Sequence, residues 1–128
     1  MEMTKRMEAA ARALDRLRDM TDKEELSDVE RDALIQRFEF CFEILWKCGR
    51  DYLLAEEGLD AASPKKVIRL LREVGLLEAE ETEKMLSMSN DRNMTVHTYD
   101  EGLAKEMAAR IRAHEPLMRA WYQRMIKE

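Results

Sequence analysis

The sequence predicts an all-α fold, a five-helix antiparallel bundle in an up-and-down arrangement. Apolar residues recur three and four positions apart along most of the chain, which is the spacing of one helix face. Of the 128 residues, 45% are hydrophobic and 38% are charged, as amphipathic helices require, whereas only 6% are aromatic. The length suits one domain, and we expect residues 1–128 to form a single helical-bundle domain.

The first two helices have the longest apolar faces. Helix one is predicted from about Thr4 to Met20, with one apolar seam. Ser27 and Glu30 have the spacing of a capping box, so helix two is predicted to begin there and to run to about Glu57. Its stripe consists of Leu34, Phe38, Cys41, Leu45, Cys48, Tyr52 and Ala55. Helix two is therefore predicted to be the longest core element.

Two aromatic residues of helix two, Phe40 and Trp46, lie off the centre of this stripe. They could mark an additional contact surface. A single exposed aromatic side chain is, however, usually incidental.

Start and stop signals bound the third helix. Gly58 ends helix two, and Ser63 followed by proline at the next position is typical of a helix start. Helix three is predicted over Pro64–Val74, with Gly75 as its C-cap.

Helix four is predicted to begin near Glu78 and to run toward Asp91. Asp100 can cap helix five, which carries another seam at spacings of four and three. His114 lies on that seam, and we interpret it as a packed histidine. Pro116 lies inside helix five and should kink it, because proline removes a backbone donor and crowds the preceding turn.

The net charge of −5 does not indicate a nucleic-acid binder. Acidic residues are concentrated in Thr21–Asp32, and basic residues in Pro64–Glu73 and Lys105–Glu128. Solvated helix faces usually explain such a distribution, but it permits a local basic cleft.

The two cysteines and the absence of targeting signals favour a reducing cytoplasm as the location. Cys41 and Cys48 are two helical turns apart, about 10 Å along the axis, which is too far for a disulfide. The sequence contains no signal-peptide pattern and no apolar run long enough to span a bilayer, so no membrane association is expected.

The most informative segment is Arg92–Tyr99, which has the form Arg-x4-His-x-Tyr. A fixed cation, a group of the type that titrates near neutrality and a hydroxyl are suited to handling phosphate. His97 could take the proton of an RNA 2′-hydroxyl or protonate the departing 5′-oxygen, and Arg92 could offset charge on the phosphorane oxygens. Asn93 could donate to a phosphate or orient His97. Neither histidine has a Cys or His partner at ligand spacing, so we expect no metal and no cofactor.

The position of this segment, at the end of helix four, raises a geometric question. If the helix continued, Arg92 and His97 would be about 140° apart around the axis and would not share a face. The long arginine could reach round the helix, or a second chain could complete the site in a symmetric dimer. A structural alternative is that the polar turn only ends helix four, with Arg92 on a carbonyl and His97 half-buried.

Three segments resemble the nucleotidyltransferase substrate-binding protein family, a branch of the HEPN superfamily. They are Gln36–Lys47 in helix two, Ser63–Arg69 at the start of helix three, and Asp91–Glu101, which contains the Arg-x4-His-x-Tyr motif. They occur in the order of that family and span roughly residues 30 to 105.

The resemblance implies a homodimer and a gene-neighbour partner that is a minimal nucleotidyltransferase. Such pairs resemble toxin–antitoxin modules, in which the HEPN member is a ribonuclease that the nucleotidyltransferase silences by transferring AMP to the motif tyrosine. By position, Arg92 and His97 would be catalytic and Asn93 would support them. Tyr99 would accept AMP, and Glu43 could orient the site.

Two function classes remain open at this stage. One is a metal-independent endoribonuclease with RNA as its substrate. The other, reflected in the family's name, is a non-catalytic subunit that presents substrate to the nucleotidyltransferase. A ribonuclease needs His97 accessible and Arg92 within a phosphate's width of it, whereas a binding subunit needs only a complementary surface.

Overall fold

Five α-helices account for most of the chain in a computed structural model that describes residues 3–127. The helices are α1 (Lys5–Thr21), α2 (Asp28–Glu57), α3 (Pro64–Glu73), α4 (Ala79–Met94) and α5 (Glu101–Lys127). A short 3₁₀ turn, Thr95–His97, follows α4. No strand occurs within residues 3–127, and the prediction of an all-α, five-helix antiparallel bundle is confirmed.

Local capping chemistry sets the start of α2. The Ser27 hydroxyl accepts a hydrogen bond from the Glu30 backbone N–H at 3.1 Å, and Glu30 Oε1 accepts one from the Ser27 N–H at 2.9 Å. This reciprocal pair is the predicted capping box.

The other predicted helix starts and ends also show capping features. Ser63 accepts a bond from the Lys66 N–H at 3.4 Å, and Asp100 Oδ1 accepts one from the Leu103 N–H at 3.0 Å. Gly58 and Gly75 follow α2 and α3 with φ of +65° and +86°, a conformation that glycine adopts without strain.

Helix α2 is the longest helix and packs against each of the other four. The predicted stripe is buried from Leu34 to Tyr52, whereas Ala55 is exposed, so the stripe ends one turn earlier than predicted. Gly49 marks the closest approach: a Cβ there would lie 2.8 Å from Val67 Cγ1 and 3.2 Å from Trp121 Cζ2. The missing side chain lets α3 and α5 pack tightly against α2.

One expectation differs from the structure. Trp46 is only 8% exposed and belongs to the core, so it does not form an outer contact surface, whereas Phe40 is 63% exposed. Helix α4 continues past Asp91 to Met94 before it tightens into the 3₁₀ turn. Helix α5 remains one helix through Pro116, and the predicted kink there stays a prediction.

The two cysteines are free and buried. Burial raises the pKa of each thiol to about 12, which leaves both thiols protonated and unreactive at neutral pH. Within residues 3–127, each helix is too short or too polar to cross a membrane.

An ion pair between α4 and α5 gives the fold a specific acid sensitivity. Arg124 donates from Nη1 and Nη2 to the two carboxylate oxygens of Glu81, both at 2.7 Å. These hydrogen bonds lower the pKa of Glu81 from an ordinary value of 4.5 to about 2. The pair's contribution to stability is therefore fully present above pH 4.5 and is lost as the pH falls toward 2.

We expect Glu81→Gln to lower the free energy of unfolding at pH 7 by about 1 kcal/mol, because a partly exposed ion pair is lost. The difference from wild type should shrink between pH 4.5 and pH 2, as the folded wild-type carboxylate becomes protonated. Urea denaturation of both proteins across this range measures it. A difference that stays constant with pH would contradict the assignment.

Candidate functional site

The segment Arg92–Tyr99 forms the last turn of α4, the 3₁₀ turn and the loop before α5. Thr95 is buried, and its hydroxyl donates to the Arg92 carbonyl at 2.7 Å. The Thr98 hydroxyl donates in turn to the Thr95 carbonyl at 2.7 Å. These side-chain bonds satisfy carbonyls at the helix end and fold the segment into a compact turn.

Asp91, one residue before the motif, fixes this end of α4 to α5. Its buried carboxylate lies 2.7 Å from His114 Nε2 and 3.1 Å from Arg110 Nη1. The His114 ring stacks on Phe38 with 5.9 Å between ring centroids. His114 is therefore a packed, hydrogen-bonded histidine, as expected from its place on the seam, and it holds the base of the motif.

Arg92 lies against α2, and 24% of its side chain is exposed. Nη1 is 3.4 Å from Glu39 Oε2 and donates to Thr95 Oγ1 at 3.2 Å, while Nε is 3.3 Å from Glu43 Oε1. The Nε contact lacks the alignment of a hydrogen bond. Nη2 forms no hydrogen bond within the described part of the chain, and the guanidinium is partly exposed to a ligand.

Glu43 is held in place by its own neighbours. Its Oε2 accepts a hydrogen bond from Trp46 Nε1 at 3.1 Å, and Arg50 lies over the Trp46 ring at 5.5 Å from the centroid. A chain of contacts therefore runs from Arg50 through Trp46 and Glu43 to Arg92. This arrangement explains why Trp46 points inward although it lies off the apolar stripe.

Glu39 is a second carboxylate that the sequence interpretation missed. It lies four residues before Glu43, so both face the same side of α2 and both contact Arg92. The only sequence feature that could have indicated Glu39 is its position four residues before Glu43, on the same side of a predicted helix. Their shared partner, Arg92, lies 49 or more positions away in sequence, so the spacing alone could not show that the two carboxylates act together.

His97, Asn93 and Tyr99 are exposed to solvent. Tyr99 is 86% exposed, and its ring meets the His97 ring edge-on with 6.2 Å between centroids. Neither Asn93 nor the Tyr99 hydroxyl forms a hydrogen bond within residues 3–127. The imidazole and the phenol therefore stand together at the tip of the turn, open to an approaching molecule.

The structure brings some of the predicted residues together and leaves others apart. Arg92 meets Glu43, and His97 meets Tyr99, but no hydrogen bond joins Arg92 to His97 in the described residues. Because α4 ends at Met94, the two side chains are not related by regular helix geometry. The structural alternative does not fit either, since Arg92 contacts carboxylates and His97 is exposed.

The chemistry available at this turn is that of a fixed cation, an accessible imidazole and an accessible phenol. Within residues 3–127, no group of three or more His, Cys, Asp or Glu side chains is arranged to hold a metal ion. Glu39 and Glu43 balance the Arg92 charge and orient the guanidinium, which stays partly exposed.

A five-helix bundle that ends its fourth helix in an Arg-x4-His-x-Tyr turn defines a HEPN-like helical protein. The family model described as nucleotidyltransferase substrate binding protein like matches residues 5–127. The chain therefore belongs to the nucleotidyltransferase substrate-binding protein family.

Solved structures are similar to this chain over nearly its whole length. A crystal structure of a Thermus thermophilus protein is 49% identical, with a TM-score of 0.88, and covers 91% of this chain and 98% of its own. A chain from the crystal structure of a toxin–antitoxin with AMP-PNP has a TM-score of 0.76 at 15% identity, covering 96% and 99%. At that identity the second similarity shows the fold alone. No curated protein matches the chain by sequence.

Proposed function

We propose that this protein is a metal-independent endoribonuclease toxin of a toxin–antitoxin module, and that it acts in the cytoplasm. The observation that carries the proposal is the exposed turn in which His97 stands at the tip and Arg92, held by Glu39 and Glu43, stays partly exposed. Membership of a family described by its link to nucleotidyltransferases supports it, as does a fold shared with a toxin–antitoxin chain.

The proposed reaction is an internal transfer at the RNA backbone. The 2′-oxygen attacks the adjacent phosphorus, the bond to the 5′-oxygen breaks, and the products carry a 2′,3′-cyclic phosphate and a 5′-hydroxyl. His97 takes the 2′-hydroxyl proton or gives a proton to the leaving oxygen. Arg92 balances the charge that grows on the nonbridging oxygens. Asn93 supports the bound phosphate, and Glu43 acts as a positioning residue for Arg92.

A homodimer accounts for the second proton transfer. One imidazole can accept the first proton, but the leaving oxygen needs a donor at the same time. Two motifs facing one cleft supply both, because a twofold axis repeats each side chain on the opposite wall. The lack of a hydrogen bond between Arg92 and His97 within one chain is compatible with a site that two chains complete.

We expect light scattering at micromolar concentration to give a particle of twice the 15.1 kDa chain mass. The interface must persist at concentrations where cleavage is measured. A 15.1 kDa particle that cleaves RNA with undiminished activity would contradict the shared cleft.

Tyr99 is the proposed site of silencing by a partner nucleotidyltransferase encoded by a neighbouring gene. The phenolic oxygen attacks the α-phosphorus of ATP, pyrophosphate leaves, and the phenolic proton passes to solvent. The bound AMP adds a negative phosphodiester and a bulky nucleoside at the tip of the turn. The negative charge competes for Arg92, and the nucleoside obstructs the approach to His97.

Co-expression with the neighbouring nucleotidyltransferase should raise the mass of the chain by whole AMP units. Tyr99→Phe should remove this gain and should escape silencing while keeping its cleavage activity, because the phenol is neither the proposed acid nor the base. Mass spectrometry of both intact proteins measures the outcome. If Tyr99→Phe gains AMP and is silenced like wild type, Tyr99 is not the acceptor.

The second candidate is a non-catalytic subunit that binds a minimal nucleotidyltransferase and presents its substrate. The family description favours it directly. Incubation of the purified protein with RNA in EDTA separates the two functions. The ribonuclease proposal predicts cleavage, whereas an intact RNA at high protein concentration, together with a stable complex with the nucleotidyltransferase, would establish the binding subunit.

A further inference from the structure

A groove between α1 and α2 carries positive charge that the chain does not neutralise. It has a volume of about 370 Å³, and Arg12, Arg16 and Arg37 line it over a floor of alanines. None of the three arginines forms an ion pair within residues 3–127, although the chain as a whole has a net charge of −5. Arg37 donates to the Arg16 carbonyl at 2.8 Å, which fixes it across the two helices.

Phe40 stands at the edge of this groove with 63% of its surface exposed. Phe40 also lines a second, smaller depression, together with Arg6, Ile44, Lys47 and Glu43. Glu43 contacts Arg92. A continuous surface therefore leads from the arginine groove past an exposed aromatic ring to the candidate site, within about one turn of α2.

We propose that this groove binds single-stranded RNA, and that it holds the strand next to the nucleotide being cleaved. The inference rests on the proposed function and names the form of its substrate. Unneutralised guanidinium groups complement a phosphodiester backbone, and an exposed aromatic ring offers a base a stacking surface. An RNA duplex keeps its bases stacked inside and would leave Phe40 without a partner.

The charges favour RNA over a protein partner at this place. A protein occupant would need carboxylates positioned for each arginine, whereas a polynucleotide presents a phosphate at every step. The groove walls bear cations without carboxylates, and the ring lies between them and Glu43. This is the combination that sequence-tolerant single-strand binding uses.

The test measures binding separately from cleavage. Each groove variant is made in the His97→Ala protein, so that the RNA stays intact, and a short fluorescein-labelled oligouridylate is titrated with it by fluorescence anisotropy. Arg12→Ala/Arg16→Ala should weaken binding about tenfold and reduce the dependence of log affinity on log salt by about 1.4. Phe40→Ala should weaken binding at least about fivefold and leave the salt dependence unchanged.

The matched control is Arg69→Ala/Arg72→Ala, which removes the same charge from exposed positions on α3. It should bind the oligouridylate within about twofold of the parent protein. Equal losses in the groove and control variants would overturn the inference, because any arginine pair would then serve. Unchanged affinity in the groove variants would also overturn it.

Two further measurements separate this inference from the proposed function. If groove variants that retain His97 cleave RNA at the wild-type rate when the RNA concentration is well below saturation, the groove proposal fails and the ribonuclease proposal stands. If the groove variants lose affinity for the purified nucleotidyltransferase but not for RNA, the groove is a protein interface and the inference is wrong. Slower cleavage at low RNA concentration, recovered at saturating RNA, is the result expected of a binding groove.

Discussion

Replacement of His97 by alanine should lower the rate of RNA cleavage about 100-fold or more, the usual contribution of a general acid or base. His97 is exposed, and its imidazole forms no hydrogen bond within residues 3–127, so its loss should leave the bundle intact. The thermal midpoint should therefore stay within about 2 °C of wild type. Single-turnover cleavage of a labelled RNA and a thermal melt of the same preparation measure both effects.

Val96→Ala is the matched control for this substitution. Val96 precedes His97 in the 3₁₀ turn and is 66% exposed, so its replacement tests the turn without removing the imidazole. The control should cleave RNA at nearly the wild-type rate. Cleavage that persists in His97→Ala would assign the activity to another site or to a contaminating enzyme.

Leu45→Ala should lower the free energy of unfolding by about 2–5 kcal/mol, the range for truncating a fully buried leucine. Leu45 has no exposed surface and lies at the centre of α2, where the other helices meet. The substitution removes apolar contacts and leaves a cavity that close-packed neighbours only partly fill. Urea denaturation gives the difference.

Leu54→Ala provides the same chemical change in the same helix. Leu54 is 58% exposed, so the loss there should stay within about 0.5 kcal/mol. Similar losses for the two variants would mean that Leu45 is not in a packed core. The contrast between them also separates burial from helix propensity, which the two substitutions change equally.

The bundle could be predicted from sequence because its determinants are local. Ser27 and Glu30 satisfy each other's backbone groups, and Gly58 adopts a left-handed conformation that few residues reach. Each of these helix-capping interactions involves residues within three or four positions of one another, so it can be recognised in the sequence alone. The spacing of apolar residues also predicts which face of each helix is buried.

The side chains that build the site were harder to predict, because their partners are distant in sequence. Trp46 is buried since Glu43 accepts its N–H and Arg50 covers its ring, and only the fold brings Glu43 to Arg92. Glu39 takes part for the same reason. The motif itself was visible because Arg92 and His97 lie within one short segment.

The residue at which α4 ends could be predicted only approximately from the sequence. The sequence predicts a helix that runs toward Asp91, with the motif at its end and in the turn that follows, and α4 ends at Met94. Asp91 is buried against His114 and Arg110, a tertiary contact that no local pattern shows. Thr95, whose hydroxyl caps the Arg92 carbonyl, marks the real change from α-helix to 3₁₀ turn.

We propose that the Arg92–Tyr99 turn cleaves RNA by attack of the 2′-hydroxyl. Analysis of the RNA ends produced in EDTA tests it most directly, with the wild-type and His97→Ala proteins compared side by side. Wild type should produce fragments with 2′,3′-cyclic phosphate and 5′-hydroxyl ends, and His97→Ala should not. Fragments with 3′-hydroxyl and 5′-phosphate ends, or equal yields from the two proteins, would contradict it.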